Sequence, residues 1–323
     1  MTAPGRIDLH HHAIVPKIAR LMRDAGVPFT LPWSLEQSFD VMGRSGVQTA
    51  VVSNAIPDFF DGPEAAGAFH RAANEAVAEL VRDHPDRFGL FAAVPMPHRD
   101  AALAECAHAF DVLGADGVVL APQAAGKYLG DPLFDPLFAE LDRRRAVVLV
   151  HPQQLPGGPA DGIPYHLADF LLDTVRGALG LILSGALDRY PHIEFVLSHA
   201  GGFLPYAAFR AERLAHASGA ADREKVAAGI KRFHYDLALS APSALPSLLA
   251  EVGPERVVYG SDWCAVPEEA AVDNARALDA GWPGATEEQR RLVDRDNALR
   301  LLPGLAARIA HDPMTHDPMK ERS

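Results

Sequence analysis

Eight short runs rich in Val, Ile, Leu and Phe, separated by longer stretches of helical periodicity, constrain the fold of this chain more than any other feature. The runs are RIDLHHH (6–12), QTAVVSN (48–54), FGLFAAVPM (88–96), DGVVLAP (116–122), AVVLVHP (146–152), IEFVLSHAGG (193–202), HYDLAL (234–239) and RVVYGSDW (256–263). Helical patterns between them include LEQSFDVMGRSG (35–46), EAAGAFHRAANEAVAELVRDHP (64–85), RDAALAECAHAFDVLG (99–114), PLFAELDRRR (136–145) and PSALPSLLAEVG (242–253). Strands that are almost wholly apolar suit burial on both faces, the condition of a parallel sheet covered by helices. Eight such units predict an α/β fold closed into a (β/α)8 TIM barrel. An open doubly wound sheet is the alternative, but no G-x-G-x-x-G follows an early strand to support nucleotide binding there.

A chain of 323 residues with 48% hydrophobic residues can bury one large core, and we read residues 1–312 as a single barrel domain and 313–323 as a flexible C-terminal tail. Segment QLPGGPADGIPY (154–165) reads as a Pro/Gly-rich loop after the fifth strand. No window approaches the ~18 apolar residues of a membrane span, and MTAPGRID lacks the apolar core of a secretory signal, so a cytoplasmic protein is expected. Cys106 and Cys264 are too few and too far apart for a disulfide framework or a thiolate zinc site. Any metal must therefore be held by histidine and carboxylate. The formal net charge of −12 argues against sequence-independent binding to nucleic acid, and no basic run suggests an anionic membrane. An anionic small substrate remains compatible, because one or two local arginines outweigh a distant negative field.

In a barrel, catalytic groups project from the C-terminal ends of the strands. The polar residues found there are His10 and His12 on the first run, Asn54 on the second, Gln123 after the fourth, His151 on the fifth, His199 on the sixth and Asp262 on the eighth. Strand alternation puts His10 and His12 on one face, about 7 Å apart along the strand, and turns His11 the other way, where a structural role is expected. His151 and Asp262 then complete a His3Asp set that leaves one position open, as a catalytic zinc site requires. Taken singly each residue has a plainer reading: His151 as a loop histidine, His199 as a strand terminator, Asp262 as a helix cap. All five at one end of one barrel point instead to a site.

The motifs DLHHH, VLVHP, VLSHAGG and YGSDW, in this order and on these strands, resemble the amidohydrolase superfamily, and within it the branch related to 2-amino-3-carboxymuconate-6-semialdehyde decarboxylase. The segment PWSLEQSFDVMGRSGVQTAVVS is similar to relatives that decarboxylate salicylate-type aromatic acids, including 6-methylsalicylate decarboxylase-like members. The likeness covers roughly residues 6 to 310 and implies a metal-dependent barrel with one divalent ion, zinc or in some relatives manganese, and no organic cofactor. On matching positions His10, His12, His151 and Asp262 would be the metal ligands, and His199 would serve in proton transfer. Arg210, eleven residues beyond His199, matches an arginine that in the family binds a substrate carboxylate across a homodimer interface. A second carboxylate-binding arginine of the semialdehyde decarboxylase is Ser38 here, which speaks against that substrate.

The resemblance implies decarboxylation of a small aromatic or unsaturated carboxylic acid, with His199 and Asp262 as acid/base groups and Arg210 as a substrate contact, while Trp263, next to Asp262 in sequence, is read as a further substrate contact lining the pocket. Hydrolysis of a lactone, amide or related bond by a metal-activated hydroxide is the principal alternative, since both reactions need a metal, a water and a base. A metal-binding protein without catalysis is a further one. Cys264, Phe59, Phe60 and Tyr128 are softer pocket candidates. The stretch LLDTVRGALGLILSGALDRY reads either as an ordinary barrel helix or as part of a dimer face.

Overall fold

The fold is given by a computed structural model, which describes residues 5–310 apart from 28–30, 55–59, 154, 156, 157 and 159. Phe59, the tail 313–323 and part of the loop 154–165 lie outside the described residues. Eight strands run parallel in sequence order: β1 (Arg6–His11), β2 (Val47–Ser53), β3 (Phe88–Ala93), β4 (Gly117–Leu120), β5 (Val147–Val150), β6 (Glu194–Leu197), β7 (His234–Asp236) and β8 (Val257–Val258). The circle closes where Leu9 N–H donates to Tyr259 O at 3.0 Å and His11 bridges Trp263. This is the expected (β/α)8 barrel.

Helices α1 (Pro16–Asp24) and α2 (Leu35–Arg44) follow β1, and α3 (Pro63–Asp83) and α4 (Arg99–Asp111) follow β2 and β3. Next come α5 (Asp135–Arg144), α6 (Tyr165–Leu183), α7 (Ala186–Arg189), α8 (Ala208–Ala217), α9 (Arg223–Arg232), α10 (Ala241–Glu251) and α11 (Glu268–Gly281). Local chemistry sets several ends. Ser34 Oγ accepts Gln37 N–H at 3.1 Å to cap α2, and prolines at first-turn positions open α1, α3 and α5, where their missing N–H costs nothing. None of these helices is long and apolar enough to cross a membrane.

Strand alternation divides the apolar residues into two layers. Ile7, Leu9, Val51, Phe91, Val119, Leu149, Val196 and Val258 form one cluster with Leu302 and Leu305, which plug the barrel from its N-terminal end. Ala50, Val52, Phe88, Leu90, Val118, Val148 and Leu197 face the helices in the larger cluster. Between Asp8 and His11 the β1–β2 register slips: Asp8 pairs with Ala50 and His11 with Val52, three steps against two. This bulge reverses the parity of β1, so that His10 shares the side of Leu9's inner layer, and it is not legible in the alternation of RIDLHHH.

All the regular strands but β2 are shorter than the apolar runs. The run expected to be strand over 256–263 is hydrogen-bonded as strand only at Val257–Val258, and those over 193–202 and 234–239 only at Glu194–Leu197 and His234–Asp236. The reason lies at their C-terminal ends, where His199, Ala200 and Asp262 have left-handed φ of 52°, 58° and 61° that end the ladder. A two-stranded hairpin, Gln123–Ala124 against Lys127–Tyr128, follows β4 and has no counterpart among the expected elements.

Candidate active site

Five side chains meet at the C-terminal mouth of the barrel. His10 ends the inner face of β1 and His12 follows it, His151 succeeds β5 directly, and His199 and Asp262 sit on the left-handed turns beyond β6 and β8. The His10 ring centroid lies 5.2 Å from that of His12, 4.8 Å from His151 and 5.0 Å from His199. Asp262 is the hub: Oδ1 lies 3.1 Å from His10 Nε2 and 3.1 Å from His12 Nε2, and Oδ2 lies 3.2 Å from His199 Nε2. All five are buried. Left-handed φ at two non-glycine residues of one site is a cost that the surrounding bonds must sustain; Asp262 N–H donates to His10 O at 2.8 Å.

Burial opposes charge on Asp262, yet His10 and the hydrogen bonds from His10, His12 and His199 hold its carboxyl well below the usual range. Burial likewise opposes charge on His10, but Asp236 and Asp262 outweigh it and push this imidazole up to about 10. His12 and His151 go the other way: burial, then repulsion from neighbouring histidines, keeps them neutral. Neutral His12 and His151 beside the Asp262 carboxylate suit a divalent cation, and His10 would release its extra proton on joining them as a ligand.

That donor set fits a metal on geometry as well. Among the described residues neither ring nitrogen of buried His151 has a hydrogen-bond partner, an expensive arrangement unless a cation faces it. His10, His151, His199 and Asp262 each offer a ligand atom within 4.8 Å of the others. His12, expected as a ligand, is not one of these four, and His199 stands in the group in its place; His12 Nε2 lies 3.1 Å from Asp262 Oδ1. The ring orientations of His10 and His12 are set from behind: His10 Nδ1 faces Asp236 Oδ2 at 2.8 Å, and His12 Nδ1 bonds the Ser53 carbonyl, so each leaves Nε2 for the site. His11 turns outward, its ring 6.4 Å from that of Phe88 and its Nδ1 3.2 Å from Asp8 Oδ2.

A family model for amidohydrolases matches residues 7–304. The chain belongs to the amidohydrolase family. It is 34% identical to the 6-methylsalicylic acid decarboxylase of Penicillium expansum, over 93% of this chain and 97% of that one. A crystal structure of an amidohydrolase II superposes with a TM-score of 0.83 at 27% identity, covering 92% of this chain and 99% of the other. A 2,6-dihydroxybenzoate decarboxylase complexed with 2,6-dihydroxybenzoate superposes with a TM-score of 0.75 at 25% identity, covering 93% and 98%.

Elsewhere in this amidohydrolase, the candidates spread out. Trp263 is buried in a small apolar cluster with Val41, Cys264, Ala271 and Val272, its Nε1 without a partner among the described residues. Arg210 stands exposed on α8, outside the histidine cluster, beside exposed Tyr206 and Phe209. Tyr128 lies on the hairpin after β4, its hydroxyl accepting from Arg176 at 3.4 Å. Ser38 is fully buried on α2 and Arg44 pairs with Asp40 on the surface.

Two residues of this amidohydrolase escaped sequence reasoning. Asp236 ends β7 and contacts His10, and Asp8 accepts from the backbone N–H groups of His10 and Ser261, each at 3.0 Å, tying β1 to the loop after β8. The signal for Asp236 was available: an acidic residue in the apolar run HYDLAL, at the same end of its strand as the histidines of theirs.

Proposed function

We propose that this chain is a metal-dependent, non-oxidative decarboxylase of a small aromatic carboxylic acid of the salicylate type. The observation that carries this reading is a buried His/Asp cluster at the barrel mouth in a chain 34% identical, nearly end to end, to a 6-methylsalicylic acid decarboxylase. His10, His12, His151 and Asp262 would hold the ion, zinc in our reading, with manganese the competing choice. When bound, the ion supplies a Lewis acid that draws electron density from the substrate oxygen next to the carboxylate-bearing carbon.

His10 and His12 suit ligation because each has Nδ1 engaged and Nε2 presented. The His199 ring has its Nδ1 unpartnered among the described residues and its Nε2 3.2 Å from Asp262 Oδ2, so it is steered by Asp262 and able to carry a proton. His199 delivers that proton to the ring carbon bearing the carboxylate. The C–C bond then breaks, its electron pair returns to the ring, and CO2 leaves. Asp262, kept ionised, orients His199, which regains its proton from solvent once CO2 has left. Trp263 supplies an apolar wall next to Asp262.

Arg210 would hold the substrate carboxylate as a charge-assisted pair. Its exposure, and that of Tyr206 and Phe209 at 83% and 69%, support a homodimer in which α8 of one subunit faces the site of the other. We place the protein in the cytoplasm, consistent with its composition. CO2 release and ring opening, measured on a panel of salicylates and aromatic lactones, separate decarboxylation from hydrolysis. Release of CO2 from a salicylate is expected, and ring opening without CO2 would replace this reading with the hydrolase.

A further inference from the structure

Asp236 is fully buried at the end of β7, and its two carboxylate oxygens face different parts of the site. Oδ2 lies 2.8 Å from His10 Nδ1. Oδ1 accepts the backbone N–H of His199 at 2.8 Å and that of Ala238 at 3.0 Å. The approach is close enough that a Cβ on Gly260 would lie 2.9 Å from His10 Cβ and 3.1 Å from Asp236 Cγ. A glycine on the neighbouring strand therefore makes room for the contact.

We propose that Asp236 is a positioning residue that holds the ligand face and the proton-transfer face of the site together. The inference rests on the reading of His10 as a metal ligand. A carboxylate behind a histidine fixes the tautomer with hydrogen on Nδ1, turns Nε2 toward the ion and strengthens it as a donor. The same group holds His199 by its main chain, where φ is 52°, a conformation that needs outside support. Movement of Asp236 would therefore displace both histidines at once. Oδ1 accepts two backbone N–H groups, and in this proposal His10 Nδ1 is the donor to Oδ2. Asp236→Asn keeps the volume but turns one acceptor into an NH2 donor, so either His10 or His199 loses its support.

The experiment uses the full chain stripped of metal with a chelator. The zinc dissociation constant of wild type and Asp236→Asn is measured by competition against a chromogenic chelator, with Glu105→Gln as a control. Glu105 is an equally buried carboxylate, held by Arg71 and Asn74 between α3 and α4. Asp236→Asn is expected to weaken zinc binding about 10–100-fold, while Glu105→Gln changes it less than about twofold. At saturating zinc, turnover of the Asn variant should stay reduced in kcat with little change in KM, because His199 remains misplaced. Unchanged zinc affinity in the Asn variant, or full recovery of kcat at saturating zinc, overturns the proposal while leaving the metal site intact. Wild type that binds no zinc or manganese overturns the metal reading and this inference with it. Should the variant not fold, nitrogen NMR of the wild-type zinc form decides: hydrogen on His10 Nδ1 with metal on Nε2 is expected, and the reverse tautomer refutes it.

Discussion

At the scale of single residues, the three adjacent histidines differ because of what lies behind each ring. His10 has Asp236, His12 has the Ser53 carbonyl, and His11 has Asp8 and the aromatic layer around Phe88. We expect His10→Ala and His12→Ala to abolish stoichiometric metal binding and activity. His11→Ala should retain full metal content; metal analysis of the three purified variants checks this, and a metal-free His11 variant would invalidate the assigned faces. Asp173 makes a second prediction at this scale. Burial raises its carboxyl to about 6, although the Gln153 N–H, Tyr128 and Arg176 act in the opposite direction. The folded state thus binds this proton more tightly than the unfolded chain, whose carboxyl titrates near ~3.9. Its contribution to stability is greatest below pH ~4 and is lost as the pH rises to about 6. Asp173→Asn should therefore gain stability relative to wild type by about 2–3 kcal/mol on going from pH 4 to pH 7.5, read from paired urea titrations. A pH-independent difference would contradict the assignment. The histidines and Asp262 were legible in the sequence because strand ends are where a barrel places its chemistry. Asp236 and Asp8 were not singled out: Asp236 shares the strand-end position of the histidines but belongs to none of the four motifs, and Asp8 acts on backbone N–H groups, which no side-chain pattern records.

At the scale of elements, the apolar runs located all eight strands but exaggerated the lengths of most of them. In the sixth and eighth runs the excess holds His199 and Asp262, which sit where the ladder has already ended in left-handed turns. Alternation correctly paired the faces of His10 and His12, but the bulge that turns them inward depends on contacts between β1 and its neighbours, which one strand's sequence does not contain. Arg6 shows a similar long-range dependence at the opposite end of β1. Its guanidinium is fully buried, donating to Asp294 Oδ1 at 2.8 Å and Ser45 O at 2.7 Å and pairing with Asp279. It thereby joins the first strand to α11 and to the helical segment around Asp294. Removing one partner of a buried pair strands the other, so Arg6→Ala should cost about 3–5 kcal/mol in chemical denaturation. A loss below about 1 kcal/mol would show that this contact does not secure the barrel's closure.

At the scale of the whole molecule, the barrel separates stability from chemistry: the plug around Leu302 and Leu305 seals the N-terminal end, and the histidines occupy the other. Fold class and family were legible because eight βα units and four ordered motifs leave few architectures open. Arg210 was legible as a candidate, but the role proposed for it would depend on a second subunit, which no pattern within one chain encodes. Light scattering should give twice the 34.7 kDa chain mass, and Arg210→Ala should raise KM for the aromatic acid at least tenfold while leaving metal content unchanged. A monomer with full activity would remove the partner-subunit role of Arg210. The central claim is tested most directly by following 6-methylsalicylate and CO2 together in the chelator-stripped protein before and after one equivalent of zinc or manganese. The account predicts no turnover without metal and, on its addition, one CO2 released per substrate consumed. Equal turnover in the stripped protein, or substrate loss without CO2, would contradict it.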